Sequence, residues 1–293
     1  MKVLNFGSLN LDYVYDVDHF VLPGETLDTL GRSVKCGGKG LNQSVALARA
    51  GADVCHAGCI GEGGEPLKAL LEENGVDTAS LRKVEEMQGH TVIQVNPAGE
   101  NCILLYGGSN RCVTAEQIRE TFTRFSAGDW LVLQNEINEL PAIVAQAAAK
   151  GLRIVLNPSP YNSALDRVDF SLLSWLFVNE IEMEQISGEK EPEKAWEVLH
   201  AKYPDLSLLI TLGSSGSVSW RNEGGTVECC RQQAVRVRAV DTTAAGDTYT
   251  GYLIEGLISG RTLAESMERA ARAAAVSVTR PGAADSIPWA AEL

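Results

Sequence analysis

Trp130-Leu131-Val132-Leu133-Gln134-Asn135-Glu136 is a short apolar run, with Val132 β-branched, that ends abruptly in polar side chains. The same unit recurs at Val3 to Phe6, Val54 to Ile60, Ile154 to Leu156, Leu176 to Val178 and Leu208 to Leu212. Helical stretches such as Asn42 to Ala50, Pro66 to Asn74, Ala142 to Lys150 and Pro192 to His200 lie between these runs. Short apolar strands alternating with amphipathic helices predict an α/β fold, with a mostly parallel central sheet flanked by helices. The polar ends add a functional hint. Gln134-Asn135-Glu136, Asn157-Pro158, Asn179-Glu180 and Thr211-Leu212-Gly213 all follow predicted strands, where ligands bind in open α/β sheets. Helix capping explains any one of them; their succession favours a site.

Two segments break the βα rhythm: Tyr13 to Val34, and a hairpin-like pair, Thr91 to Val95 and Cys102 to Tyr106, joined across Asn96 to Asn101. Together they predict a small β-sheet lid made of about residues 13–35 and 89–108, able to close on a ligand or to pair with a second subunit as a homodimer. The chain has 293 residues, 45% of them hydrophobic, which suits one chain-wide unit spanning 1–293. A formal charge of −13 disfavours a nucleic-acid surface, which needs clustered Lys and Arg. No stretch reaches membrane-spanning length and the N-terminus does not read as a signal peptide, so the expected location is the cytoplasm. The seven Cys show no Cys-x-x-Cys spacing, which predicts reduced core thiols rather than disulfides or a zinc ribbon.

Neither G-x-x-x-x-G-K-[ST] nor a strand-borne G-x-G-x-x-G is present. The sharpest motif is Asp241-Thr242-Thr243-Ala244-Ala245-Gly246-Asp247 before a helix-like stretch. Small residues at a helix start leave backbone N–H groups open to an anion, such as a phosphoryl group in transfer. Asp247 beside them is placed to accept a proton from an attacking hydroxyl; the plainer reading makes Thr242 or Thr243 a helix cap and Asp241 a salt-bridge partner of Arg280. Cys36-Gly37-Gly38-Lys39-Gly40-Leu41-Asn42-Gln43 is a second candidate, whose glycines let backbone approach a ligand and whose Asn42 offers donor and acceptor. Asn10 and Asp12, after the first strand, suit a polyol in kind.

Gly-Gly-Lys-Gly-x-Asn-Gln at Gly37 to Gln43, Asn-x-x-Glu at Asn179 to Glu182, Thr-Leu-Gly-Ser-x-Gly at Thr211 to Gly216 and the Asp241 to Asp247 motif resemble, in this order, the ribokinase (PfkB-type carbohydrate kinase) family. The C-terminal Val278 to Ala283 and Ser286-Ile287-Pro288 are similar too, so the resemblance covers essentially the whole chain. It implies a kinase moving a phosphoryl group from ATP to a small sugar, with ribose the expected acceptor. Asn10, Asp12, Gly38, Lys39, Asn42 and Glu136 would hold the sugar. Asp247 would be the base, with Ala244, Ala245 and Gly246 as anion hole. Asn179, Thr211, Gly213, Ser214, Gly216, Gly246 and Ala271 would meet ATP, and Glu182 would help place magnesium through water. Asp241, Thr243, Ser277, Arg280, Gly282 and Ser286 match the family's loop for an activating monovalent cation, potassium, several through backbone carbonyls. Leu41, Asn135, Ser109 and Ala271 depart from the family pattern; Leu41 and Asn135 are expected near the sugar. The same features leave open a kinase for deoxyribose, a ketose or a nucleoside, or a sugar- or nucleotide-binding regulator without turnover.

Overall fold

A computed structural model describes residues 1–293. In chain order its first elements are β1 (Val3–Phe6), β2 (Asn10–Asp16), β3 (Gly31–Gly37), α1 (Lys39–Ala50), β4 (Val54–Glu62), α2 (Glu65–Glu73) and β5 (Asp77–Met87). Next come β6 (His90–Val95), β7 (Asn101–Tyr106), α3 (Ala115–Phe122), β8 (Trp130–Gln134), α4 (Leu140–Ala149), β9 (Arg153–Asn157), β10 (Trp175–Asn179) and α5 (Glu180–Ser187). The last are α6 (Pro192–Lys202), β11 (Ser207–Thr211), β12 (Ser217–Glu223), β13 (Thr226–Gln232), α7 (Ala245–Ile258) and α8 (Leu263–Val278).

The main sheet runs β13-β12-β11-β10-β9-β8-β1-β4-β5, parallel throughout except for β12 and β13. That terminal hairpin, turned at Gly224 and Gly225, escapes the sequence reading because its apolar residues are few: β12 buries Val218 and Trp220 among serines, and β13 is mostly exposed. Successive side chains of each central strand enter opposite layers: Leu4 and Phe6 of β1 join one core with α3 to α6, while Val3 joins the other with α1, α2, α7 and α8. Strands buried on both faces therefore read as unbroken apolar runs. The order reverses between β1 and β8, and the loops leaving their C-terminal ends frame a crevice.

Helix α1 starts at Lys39, three residues before the predicted Asn42, because Gly38 leaves the preceding strand with φ 95° and the chain turns helical at once. The second sheet, β3-β2-β6-β7, is the predicted lid, although β2 pairs with β6 in parallel rather than through a simple meander. All of β7 is exposed. All seven cysteines are free, but only Cys55 and Cys59 are buried. Cys102 and Cys229 lie exposed because β7 and β13 are edge strands, which corrects the expectation of core thiols throughout.

Candidate active site

The N-terminus of α7 meets the N-terminal half of α1 at close range. A Cβ built on Gly251 would stand 2.5 Å from Ala46 Cβ and 2.7 Å from Leu47 N, so the missing side chain lets the helices touch. One turn earlier on each helix, Asp247 faces Asn42 and Gln43. Asp247 is 7% exposed; its Oδ2 accepts from Asn42 Nδ2 at 3.1 Å and its Oδ1 from Gln43 Nε2 at 2.9 Å. Asn42 Oδ1 is buried with no partner, an acceptor that a ligand hydroxyl would satisfy.

No Thr side chain caps α7. Ala244 occupies the N-cap with φ 59° and no side-chain bond, a left-handed conformation costing a non-glycine residue about 1 kcal/mol. Of the expected anion hole, the Ala245 N–H is engaged by Thr242 O at 3.3 Å, while those of Ala244, Gly246 and Asp247 take no backbone partner. A Cβ on Gly246 would meet nothing within 4 Å, so the space in front of this helix end is open. It belongs to a cavity of about 240 Å³ lined also by Lys39, Asn179, Glu182, Thr211 and the previously unassigned Asn157, Thr242 and Thr250. Asn157 carried a sequence signal, its place at a strand end.

Lys39 sits among carboxylates. Burial alone would lower its pKa, but Asp247, Glu136 and Glu182 together raise it above the usual lysine range, which keeps a fixed positive charge over the cavity. Asn179 and Glu182 form a capping box: Asn179 Oδ1 accepts from Glu182 N at 2.9 Å and Glu182 Oε2 from Asn179 N at 3.1 Å. Gly213, Ser214 and Gly216 follow β11 in an exposed turn beside this cavity, and none of them lines it. Ala271 is 8% exposed within the core layer of α8 and does not line it either.

Across the switch point, Glu136 Oε2 accepts from Ser8 Oγ and from Lys39 N. Asp12, on the lid strand β2, accepts from Thr91 Oγ1 at 2.6 Å, and burial raises its pKa to about 6 against that hydrogen bond. Asn10 Oδ1 accepts from Asn110 Nδ2 at 2.8 Å; Asn110, 2% exposed, also braces Leu9 and went unnoticed in the sequence because it lies in a single short 3-10 turn, Gly108–Arg111, with no periodic pattern. A Cβ on Gly37 would strike Asp12 Oδ2 and one on Gly40 the Ser8 backbone, so these two glycines also let the protein pack closely on itself. Leu41 is fully buried in the core, while Asn135 donates its Nδ2 to Pro160 O at 2.6 Å and leaves its buried Oδ1 without a partner.

Asp241 joins two loops. Its Oδ1 accepts from Thr243 N and its Oδ2 from Gly282 N, each at 2.9 Å; burial would raise its pKa, but these bonds hold it below the usual range. Arg280 pairs with Glu292 at 2.7 Å, not with Asp241. The reason is local: Gly282, with φ 97°, turns the chain so that its N–H takes the carboxylate. Ser277 and Ser286 are fully buried with hydroxyls donating to Ala274 O and Ala283 O, each at 2.8 Å. No helix of the protein is long and apolar enough to cross a membrane.

Comparison with known proteins places this geometry. Residues 1–290 match the model of the pfkB family carbohydrate kinases. A ribokinase from Haemophilus influenzae is 36% identical over 293 residues, covering 96% of this chain and 94% of the relative. A Staphylococcus aureus ribokinase is 34% identical, with 100% and 98% covered. Among solved structures, ribokinase from Cryptococcus neoformans in complex with ADP superposes with a TM-score of 0.85 at 33% identity, covering 99% of this chain and 98% of that one. The chain belongs to the pfkB family of carbohydrate kinases.

Proposed function

We propose that this protein is a ribokinase, transferring the γ-phosphoryl group of ATP to the 5-hydroxyl of D-ribose. The observation that carries the reading is Asp247, buried and oriented by Asn42 and Gln43 beside the free N–H groups that open α7. The likeness to relatives named ribokinase supports ribose as the acceptor. Asp247 takes the hydroxyl proton as O5 forms its bond to phosphorus; the bond from phosphorus to the β–γ bridging oxygen breaks, and ADP leaves. The N–H groups of Ala244 and Gly246 receive the charge on the equatorial oxygens, with Lys39 adding its own. Asn10, Asp12, Gly38, Asn42 and Glu136 hold the sugar from the lid side, and Asn179, Thr211 and the Gly213 to Gly216 turn hold ATP, with Ala271 behind.

Glu182 fits magnesium, which would neutralise phosphate charge, because its carboxylate lines the cavity and is held in place by the Asn179 cap. Asp241, Thr243 and the carbonyls around Ser277, Arg280, Gly282 and Ser286 fit a potassium ion, which would neutralise Asp241 and hold both loops beside the anion hole. The whole chain acts as one unit, and the exposed β7 suits a homodimer through the lid. ADP release from magnesium-ATP with a panel of pentoses, deoxyribose, hexoses and nucleosides tests the reading. The highest kcat/KM is expected for ribose; a better value for another acceptor reassigns the substrate, and no release with any of them removes the kinase.

A further inference from the structure

Beneath the crevice a line of buried side chains ends on Asp247. Gln43 donates to Asp247 Oδ1, and Gln134 Nε2 donates in turn to Gln43 Oε1 at 2.6 Å and to Asn5 Oδ1 at 3.0 Å. Asn5 Nδ2 donates to Gly40 O at 2.7 Å and to Ser44 Oγ at 2.8 Å; the Ser44 hydroxyl meets His56 Nδ1 at 2.7 Å. Asn5, Gln43, Ser44, His56 and Gln134 are all at 0% exposure.

The polarity of the line is set by two fixed acceptors, the Asp247 carboxylate at one end and the Gly40 carbonyl at the other. Burial drives the pKa of His56 down to about 4, so the ring beside Ser44 is neutral. Asn5 can offer Gly40 O only its NH2. Asn5 must then turn its oxygen to Gln134, and Gln134 its nitrogen to Gln43. Gln43 is left with only its NH2 to offer Asp247. Flipping any one amide would set donor against donor, or acceptor against acceptor, where no water can intervene.

We infer that Gln43 is a positioning residue for the catalytic base, its donor locked on Asp247 Oδ1 by Gln134 and by Asn5, itself anchored on Gly40 O, so that Oδ2 is presented to the sugar hydroxyl. Asn42 differs. Its Oδ1 is left free of protein partners beside Asp247, whereas both amide atoms of Gln43 are taken by protein. The inference rests on the proposed kinase reaction.

The test compares wild type, Gln43→Met, Gln134→Met, Asp247→Asn and the double variant Asp247→Asn/Gln43→Met by steady-state kinetics with ribose and magnesium-ATP, and by ribose calorimetry. Gln43→Met should lower kcat about 10- to 100-fold, the scale of one hydrogen bond to a charged group. Its ribose KM and Kd should stay within about twofold of wild type, because ground-state binding is untouched. Gln134→Met, which never meets Asp247, should show a smaller loss with the same split. In the Asp247→Asn background Gln43→Met should cost nothing further, as coupled groups are non-additive. If Gln43→Met fails to fold, Gln134→Met, which frees the Gln43 amide from its anchor, must lose kcat at unchanged ribose Kd. An active wild type with an unimpaired Gln43→Met variant, a Kd that rises with the kcat loss, or full additivity in the double variant overturns the positioning role alone. An inactive wild type overturns the kinase reading with it.

Discussion

The α1–α7 contact and the lid sit on opposite sides of the same crevice and are built by opposite means. At the contact, helix backbones approach through Gly251, every polar side chain behind Asp247 is buried, and nearly every donor meets an acceptor. On the lid, β7 is wholly exposed, with Leu104 at 68% and Ile103 at 51%, and Asp12 stands on a strand held mainly by its own small sheet. One region is preorganised before any ligand arrives; the other has an apolar face still to be covered. Chemistry requires the first, because a base displaced by an ångström loses its alignment. Closure and exchange of ligand suit the second.

That contrast breaks most sharply at Asp247. Asp247→Asn keeps the shape and the bonds' geometry but removes the proton acceptor, so kcat should fall about 10²- to 10⁴-fold while circular dichroism and Tm stay near wild type. Turnover close to wild type would take the base elsewhere. Gly251→Ala probes the same region through packing. With contacts of 2.5 and 2.7 Å to Ala46 and Leu47 awaiting the new methyl, overpacking should cost about 1–3 kcal/mol, seen as a lowered denaturation midpoint. Asn42 and Gln43 should be pushed off Asp247, and kcat should drop as well. An unchanged midpoint would mean that the helices have slack.

On the lid side the expected effects fall on binding. Asp12, its pKa raised by burial to about 6, accepts sugar hydroxyls best as a carboxylate. Ribose binding therefore favours the charged form, and affinity is lost as pH falls through that value. The ribose KM should rise by up to about tenfold per unit below pH 6, with Asp12→Asn flattening the profile; a KM independent of pH from 5 to 7 would detach Asp12 from the sugar. Leu104→Asp is the mildest change, expected to leave monomer stability within about 0.5 kcal/mol and kcat nearly intact. Light scattering should show a homodimer in the wild type and a monomer in the variant. A wild-type monomer at micromolar concentration would leave the apolar face without its partner.

Sequence by itself determined the α/β layering, since short apolar runs such as Trp130 to Leu133 recur between helical stretches as strands covered on both faces do, and it marked the small residues and acid at Ala244 to Asp247 because a helix start declares itself locally. It also marked Asn42, Lys39 and Glu182 through motif resemblance. Tertiary structure alone decided that Gln43, rather than merely following Asn42, faces Asp247, which lies 204 positions later. It likewise decided that Leu41 enters the core and Asn135 reaches Pro160, that Arg280 chooses Glu292 over Asp241, and that Asn110 braces Asn10. The physical reason is one of range. Periodicity and capping are properties of neighbours along the chain, readable from residue types. A hydrogen-bond partner, or the surface that a glycine's absent Cβ would have met, is fixed by which distant segment packs there, and residue type carries no record of that segment.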